Sequence, residues 1–163
     1  MDKKEIFINA IKNNEGILYK ISSIYTNSID DRNDLMQEII YQLWKSFDSF
    51  NEEASFSTWM YRVSMNVAIY HLKITKRKIL TVPLEEKFLD FPEQGNDGFE
   101  ENLQLFKQLL DKLNLLDKGI IMLYLENKSH EEISEIVGIS KSNVGTKISR
   151  IKIKLEKQIT KYL

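Results

Sequence analysis

The sequence predicts an all-α protein built from two small helical domains joined by an acidic, flexible linker. Apolar residues recur at steps of three and four in both halves of the 163-residue chain, whereas the strict alternation typical of strands is missing. Apolar residues make up 42% of the sequence, which is enough for a real core and argues against wholesale disorder.

An acidic stretch divides the two halves. Both prolines of the chain, Pro83 and Pro92, lie in it, and residues 84–101 carry seven acidic side chains against one basic side chain. Proline and charge without an apolar period are typical of a linker. We therefore predict a first domain at residues 1–79, a linker at residues 80–100 and a second domain at residues 101–163.

Composition excludes several classes of site. There is no cysteine, so disulfides, thiolate metal sites and cysteine nucleophiles are excluded. The two histidines, His71 and His130, are too few for an obvious metal cluster, and we expect neither a metal nor a cofactor. No apolar run of about 18 residues predicts a membrane span, and the first residues lack the apolar segment of a secretory signal. We expect a cytoplasmic protein without stable membrane insertion and without enzymatic activity.

The first half begins with two predicted helices. One runs roughly from residue 3 to residue 25. The other follows residues 30–33, whose short polar side chains suit a turn and an N-cap. Its apolar positions form a broad stripe, namely Leu35, Met36, Ile39, Ile40, Leu43, Trp44 and Phe47. A polar loop at residues 51–55 comes next.

A third helix in this half carries two stripes. The expected core face consists of Phe56, Trp59, Met60, Val63, Val67 and Tyr70. A second, mostly polar stripe consists of Arg62, Asn66, Ile69 and Lys73, and it leads into the basic residues 76–78. An aromatic start with a basic end suits single-stranded DNA, because rings stack on bases and cations follow phosphates. Burial in the core is the alternative for Phe56 and Trp59, and we prefer it for Trp59.

The second half contains a helix-turn-helix pattern. Ser129 and Glu132 have the spacing of a capping box at a helix start. Gly138 permits the left-handed backbone that ends this helix tightly, Ile139 fills the corner, and Ser140 suits the N-cap of the next helix. A short helix, a glycine turn and a new cap in this order are typical of a helix-turn-helix.

The last helix also has two faces. Its apolar stripe, which should pack on the domain, is Val144, Ile148, Ile151 and Leu155. Its polar stripe is Asn143, Lys147, Arg150 and Lys154. A recognition helix needs this arrangement, since one face is anchored and the other presents amide and cationic groups to the major groove. The alternative is a surface helix with solvated lysines.

These residues together resemble a known family. Residues 34–38, Leu43-Trp44, residues 56–63 and Asn66 resemble sigma domain two of the extracytoplasmic-function (ECF) sigma factors. Residues 131–140 and 144–155 resemble sigma domain four, and the resemblance covers nearly the whole chain. Two departures stand out: Gly145 replaces a basic residue common in the family, and Asn114 replaces a common proline.

The resemblance implies a transcription initiation factor that binds core RNA polymerase through its two largest subunits and directs it to promoter DNA. The implied polymerase-binding residues are Asp34, Leu35, Gln37, Glu38, Tyr41 and Trp44. The implied contacts that recognise and open the minus-ten element are Phe56, Ser57, Trp59, Arg62, Asn66, Lys73 and Arg77. The implied minus-thirty-five contacts are His130, Lys141, Asn143, Thr146, Lys147, Arg150 and Lys154. An anti-sigma factor or another DNA-targeting protein is a further partner that the family suggests.

Two other functions compete with this interpretation. The first is a helix-turn-helix regulator that acts without polymerase, with residues 1–79 as a dimerisation or sensing domain. The second is a helical adaptor that binds only protein. The paired motifs at residues 34–44 and 56–66 argue against the regulator, and the adaptor leaves the polar stripe of the last helix unexplained.

Overall fold

The computed structural model describes residues 2–79 and 105–161, with the side chains of residues 75–79 left out. The described residues form helices, turns and loops without a strand, so the all-α prediction is confirmed. The chain divides into two compact units, Met1–Phe91 and Pro92–Leu163. The predicted linker at residues 80–100 lies outside the described residues.

Within residues 2–79, the N-terminal unit contains four α-helices and a short 3-10 turn. The helices are α1 (Lys3–Asn13), α2 (Glu15–Ile24), α3 (Ile29–Ser46) and α4 (Phe56–Ile79), and the 3-10 turn is Phe47–Ser49. The single helix expected at residues 3–25 is therefore two helices. The break falls at Asn14, whose side-chain amide donates to the Ala10 carbonyl at 2.8 Å. Asparagine interrupts helices because its side chain competes for backbone hydrogen bonds.

The core of the N-terminal unit lies between α2, α3 and α4. Its fully buried side chains include Leu18, Ile21, Leu35, Ile39, Leu43, Met60 and Ser64. Each buried leucine or isoleucine contributes about 1.5–3 kcal/mol relative to an exposed position. The core face of α4 differs from the prediction: Tyr70 is 67% exposed, so placing it in the core was wrong. Ser64 and Ala68 are buried instead, because small side chains let helices approach closely.

A cluster of six rings closes one end of this unit. The aromatic cluster consists of Phe7, Trp44, Phe47, Phe50, Phe56 and Trp59. Phe7 of α1 contacts Trp44 and Phe47 edge to face, with ring centroids 5.1 and 5.2 Å apart. Phe50 and Phe56 meet at 5.5 Å, so rings pair across the two ends of the loop that precedes α4. Edge-to-face pairs of this kind add about 0.5–1.5 kcal/mol beyond the area that they bury.

In the described part of the C-terminal unit, α5 covers residues 105–111. It is followed by α6 (Leu115–Leu125), α7 (His130–Val137) and α8 (Lys141–Thr160). Helices α6, α7 and α8 pack on one another in all three pairings. Their buried side chains include Ile120, Leu123, Ile133, Ile136, Val144, Ile148 and Ile151. Asn114 caps α6 by accepting from the Asp117 amide at 2.8 Å, so it satisfies a helix start that proline leaves without a side-chain cap.

The turn between α7 and α8 has the predicted geometry. Ser129 and Glu132 form a reciprocal capping box at the start of α7. Gly138 has φ 77°, which is the left-handed conformation that favours glycine. The Ser134 hydroxyl donates to the Ile139 carbonyl across the turn, and Ser140 caps α8 by accepting from the Asn143 amide at 3.1 Å. The helix-turn-helix prediction is confirmed, because each local signal is present in the backbone.

Candidate nucleic-acid interface

The first half of α8 has one anchored face and one exposed face. Val144, Ile148 and Ile151 are at most 3% exposed and fix the helix against the rest of the C-terminal unit. The opposite face exposes Asn143, Thr146 and Arg150, at steps of three and four. Lys141 is exposed at the helix start. This arrangement can present an amide, a hydroxyl and a guanidinium to the major groove.

Two cations of the predicted stripe are held within the unit. The Lys147 ammonium lies 3.6 Å from a carboxylate oxygen of Asp117 in α6, and both side chains are largely buried. The Lys154 ammonium donates to the backbone carbonyl of Lys112 at 3.4 Å. The polar stripe is therefore less uniform than its spacing indicates, because tertiary partners take up part of its positive charge.

His130 and Gly145 lie together at the other edge of this surface. His130 is the first residue of α7 and is exposed. A β-carbon built on Gly145 would be 3.5 Å from the His130 Nδ1 atom. The imidazole therefore lies against α8 at Gly145, and it places a polar ring beside the exposed face.

The residues predicted to contact the minus-ten element fall into two groups. Arg62, Asn66 and Lys73 are exposed on α4. Phe56 and Ser57 are half-buried at the start of this helix. Trp59 is only 7% exposed and belongs to the aromatic cluster, in agreement with the preferred core interpretation. The side chain of Arg77 lies outside the described residues.

The loop before α4 is held at both ends. Ser55 caps the helix by accepting from the Thr58 amide at 3.2 Å, and its hydroxyl donates to the Thr58 hydroxyl at 3.0 Å. The paired rings of Phe50 and Phe56 lie on either side of the loop. Glu52 at its tip has φ 62°, a left-handed conformation that a non-glycine residue adopts at some cost. The tip of the loop is therefore exposed, whereas hydrogen bonds and ring contacts hold the two ends of the loop in place.

The residues predicted to bind polymerase lie on α3. Asp34, Gln37 and Tyr41 are exposed at steps of three and four, and Glu38 beside them is half-buried. Leu35 is fully buried and Trp44 belongs to the aromatic cluster, so these two side chains hold α3 against the core of the unit. Lys45, which was not among the predicted residues, extends the exposed stripe by one turn, and its ammonium lies 5.4 Å from the centre of the Tyr41 ring.

A groove between α3 and α4 connects these two surfaces. It is lined by Glu38, Gln42, Asn66, Val67, Tyr70, His71 and Ile74. Glu38 comes from α3, where polymerase binding is predicted, and Asn66 comes from the α4 stripe that is predicted to contact DNA. The Gln42 amide donates to the Glu38 carboxylate at 3.1 Å. No local sequence pattern predicts this groove, since its lining residues from α3 and α4 are 24 to 36 positions apart in the chain.

The part of the chain that the structure describes contains no group of three potential metal ligands. Nor does any helix within residues 2–79 and 105–161 have the length and hydropathy needed to cross a bilayer.

Two family models match the chain, and each falls within one unit. Sigma-70 region 2 matches residues 10–78, and Sigma-70 region 4 matches residues 103–155. The RNA polymerase sigma factor SigV of Bacillus subtilis is 26% identical over 159 residues, which cover 97% of this chain and 93% of the relative. The ECF sigma-E factor of Haemophilus influenzae is 27% identical over 86% of this chain and 82% of its own length.

RpoE of Bartonella quintana and CnrH are among the solved structures that share the fold. The sigma factor RpoE of Bartonella quintana, in complex with the anti-sigma factor NepR, matches with a TM-score of 0.68 and 18% identity over 96% of each chain. CnrH, in complex with the cytosolic domain of CnrY, matches with a TM-score of 0.69 over 97% of this chain and 90% of its own, again at 18% identity.

Two Sigma-70 regions in this order, each on its own helical unit, define a sigma factor, the class of protein that binds RNA polymerase and initiates transcription at promoters. The chain belongs to the ECF family of sigma factors.

Proposed function

We propose that this ECF sigma factor docks on core RNA polymerase through α3, opens the minus-ten element with α4 and the loop before it, and reads the minus-thirty-five element with α8. The observation that carries the proposal is the distribution of exposed polar side chains. Each match to a sigma region contains a helix with one face buried in its unit and an opposite face of exposed polar groups.

The docking surface is the exposed stripe Asp34, Gln37, Glu38 and Tyr41, and its partners are the two largest subunits of the polymerase. Leu35 and Trp44 would act on this surface indirectly, by fixing α3 on the core and on the aromatic cluster. An aromatic ring surrounded by charged and amide groups is typical of an interface anchor, because it buries a large area at a small cost in side-chain entropy.

Opening of the minus-ten element would use Arg62, Asn66 and Lys73 on α4, with Phe56 and Ser57 at the edge of the loop. Unstacking a base step costs a few kcal/mol, and contacts that accept only an extruded base offset this cost. Trp59 would serve this step by supporting the loop rather than by stacking on a base, since it is buried. Arg77 would extend the basic track toward the end of α4.

Reading of the minus-thirty-five element would use Asn143, Thr146 and Arg150. Lys141 and His130 would contact the flanking phosphates, where cations and helix N-termini position a protein without reading sequence. Lys147 and Lys154 belong to the same surface, but each must leave an internal partner before it can reach a phosphate.

The domain limits proposed for these roles are residues 1–79 and 101–163, with residues 80–100 as the linker. The protein would act in the cytoplasm, without catalysis of its own and without a cofactor. RpoE and CnrH, two of the solved structures that share its fold, were each determined with a protein partner, and the partner of RpoE is called an anti-sigma factor. We therefore propose an anti-sigma factor as a further partner that controls access to polymerase.

The test is a comparison of two asparagine variants in holoenzyme assembled from the full chain and core RNA polymerase. Asn66→Ala should impair promoter opening, measured by permanganate reactivity of unpaired thymines, more than closed-complex binding, measured by gel shift at low temperature. Asn13→Ala removes an exposed asparagine from α1 and should leave both steps unchanged. An equal loss at both steps in Asn66→Ala would mean that this residue merely supports the fold.

A further inference from the structure

Asp117 and Lys147 form an ion pair between the recognition helix and α6. The ammonium and the carboxylate are 3.6 Å apart, and their side chains are 28% and 21% exposed. Lys147 lies midway between two exposed residues of the proposed DNA-reading surface, Asn143 and Arg150. A carboxylate therefore stands beside the face of α8 that is proposed to approach DNA.

The position of Asp117 is fixed by its surroundings. Its backbone amide donates to the Asn114 side chain at 2.8 Å, in the first turn of α6. Its neighbour Lys118 is turned to a different carboxylate, since the Lys118 ammonium lies 2.6 Å from Asp111. The Asp117 oxygen that faces Lys147 is buried and has no hydrogen-bond partner in the described chain, so the ion pair is what balances its charge there.

We propose that Asp117 sets the affinity of the upstream DNA surface by withholding the Lys147 ammonium from the phosphate backbone; this inference rests on the proposed function of α8. A phosphate can take Lys147 only by leaving a largely buried carboxylate without its counter-charge, and that penalty offsets the gain of the new contact. Asp117 is thus a positioning residue that acts through Lys147, without touching DNA itself. The consequence is a factor that reads the element mainly through Asn143, Thr146 and Arg150.

The experiment measures holoenzyme binding to the promoter fragment that wild-type holoenzyme selects from a random-sequence duplex pool. Affinity is determined between 50 and 200 mM salt, a range over which phosphate contacts change affinity strongly. The variants are Asp117→Asn, Lys147→Met and the double variant, all close in shape to the native residues. Arg150→Met is the reference for a lost DNA contact.

Asp117→Asn should bind about fivefold more tightly than wild type, as expected for release of one partly screened ion pair. Its affinity should fall more steeply with salt, by about 0.9 in the logarithmic slope, because one more phosphate is neutralised. Lys147→Met should lose clearly less affinity than Arg150→Met, because in the wild type its ammonium is held by Asp117 rather than by a phosphate. The double variant should lose the gain of Asp117→Asn, because the released ammonium is then absent. A purely structural role would lower affinity in Asp117→Asn and leave the salt slope unchanged.

Three results would overturn the inference. They are a loss in Lys147→Met as large as that in Arg150→Met, no gain in Asp117→Asn, and a gain that persists in the double variant. The last result would mean that Asp117 acts by direct repulsion. Should Asp117→Asn unfold, Lys147→Met and the double variant, which leaves no unpaired charge, still decide whether Lys147 contacts DNA. An unchanged affinity in Arg150→Met would instead reject the proposed DNA surface as a whole.

Discussion

Replacing Gly145 by alanine should stabilise the C-terminal unit. Gly145 is the fifth residue of α8, well inside the helix, where glycine costs about 1 kcal/mol relative to alanine. The added β-carbon would meet His130 Nδ1 at 3.5 Å and Cε1 at 3.6 Å, which are ordinary van der Waals distances. No clash offsets the gain in helix propensity, so the free energy of unfolding should rise by about 1 kcal/mol.

The two tryptophans make the measurement specific. Both Trp44 and Trp59 belong to the aromatic cluster of the N-terminal unit, so tryptophan fluorescence in a urea titration follows that unit alone. Amide hydrogen exchange in α8 follows the C-terminal unit. Gly145→Ala should slow exchange in α8 about fivefold, the equivalent of 1 kcal/mol, and leave the fluorescence midpoint unchanged.

Gly138→Ala is the matched control in the same unit. Gly138 has φ 77°, where an alanine side chain is strained by about 1–2 kcal/mol, so this variant should speed exchange. Faster exchange in Gly145→Ala would refute the reasoning, because it would mean that the His130 ring leaves no room for a β-carbon at α8.

Two further predictions concern the N-terminal unit. Phe7→Ala should lower the free energy of unfolding of this unit by about 3–5 kcal/mol, because Phe7 is buried against Trp44 and Phe47. The loss should appear as a lower urea midpoint of tryptophan fluorescence, and an unchanged midpoint would mean that α1 does not cover the aromatic cluster. Tyr41→Ala should weaken binding to core polymerase roughly tenfold in fluorescence anisotropy, as expected for an aromatic interface anchor. Tyr19→Ala is the control, because Tyr19 is 53% exposed, Tyr41 is 54% exposed, and both rings contact a cation. An equal loss of polymerase binding in both variants would contradict docking through α3.

The helix-turn-helix could be predicted from sequence because its signals are local. The capping box, the left-handed glycine and the serine cap each join groups that are at most four residues apart, so the local spacing is sufficient to place the turn. The break at Asn14 is also a local effect, although the helical period across residues 3–25 concealed it.

Two features could not be predicted, because they depend on the partner helix. The sequence offers α4 two faces of similar width, and the choice of Ser64 and Ala68 over Tyr70 depends on how closely a neighbouring helix packs. The Asp117–Lys147 pair joins residues 30 positions apart, and the spacing of the stripe on α8 contains no trace of it. The stripe therefore predicts which residues share a face, while the exposure of their charges is decided by tertiary contacts.

The measurement that tests the central claim most directly is run-off transcription with purified components on the promoter that the protein selects. Full chain and core RNA polymerase together should give a transcript from a defined start site, and either component alone should give none. A transcript of equal yield from core polymerase alone, or binding of the chain to that promoter as a stable dimer with no effect of polymerase, would contradict the assignment.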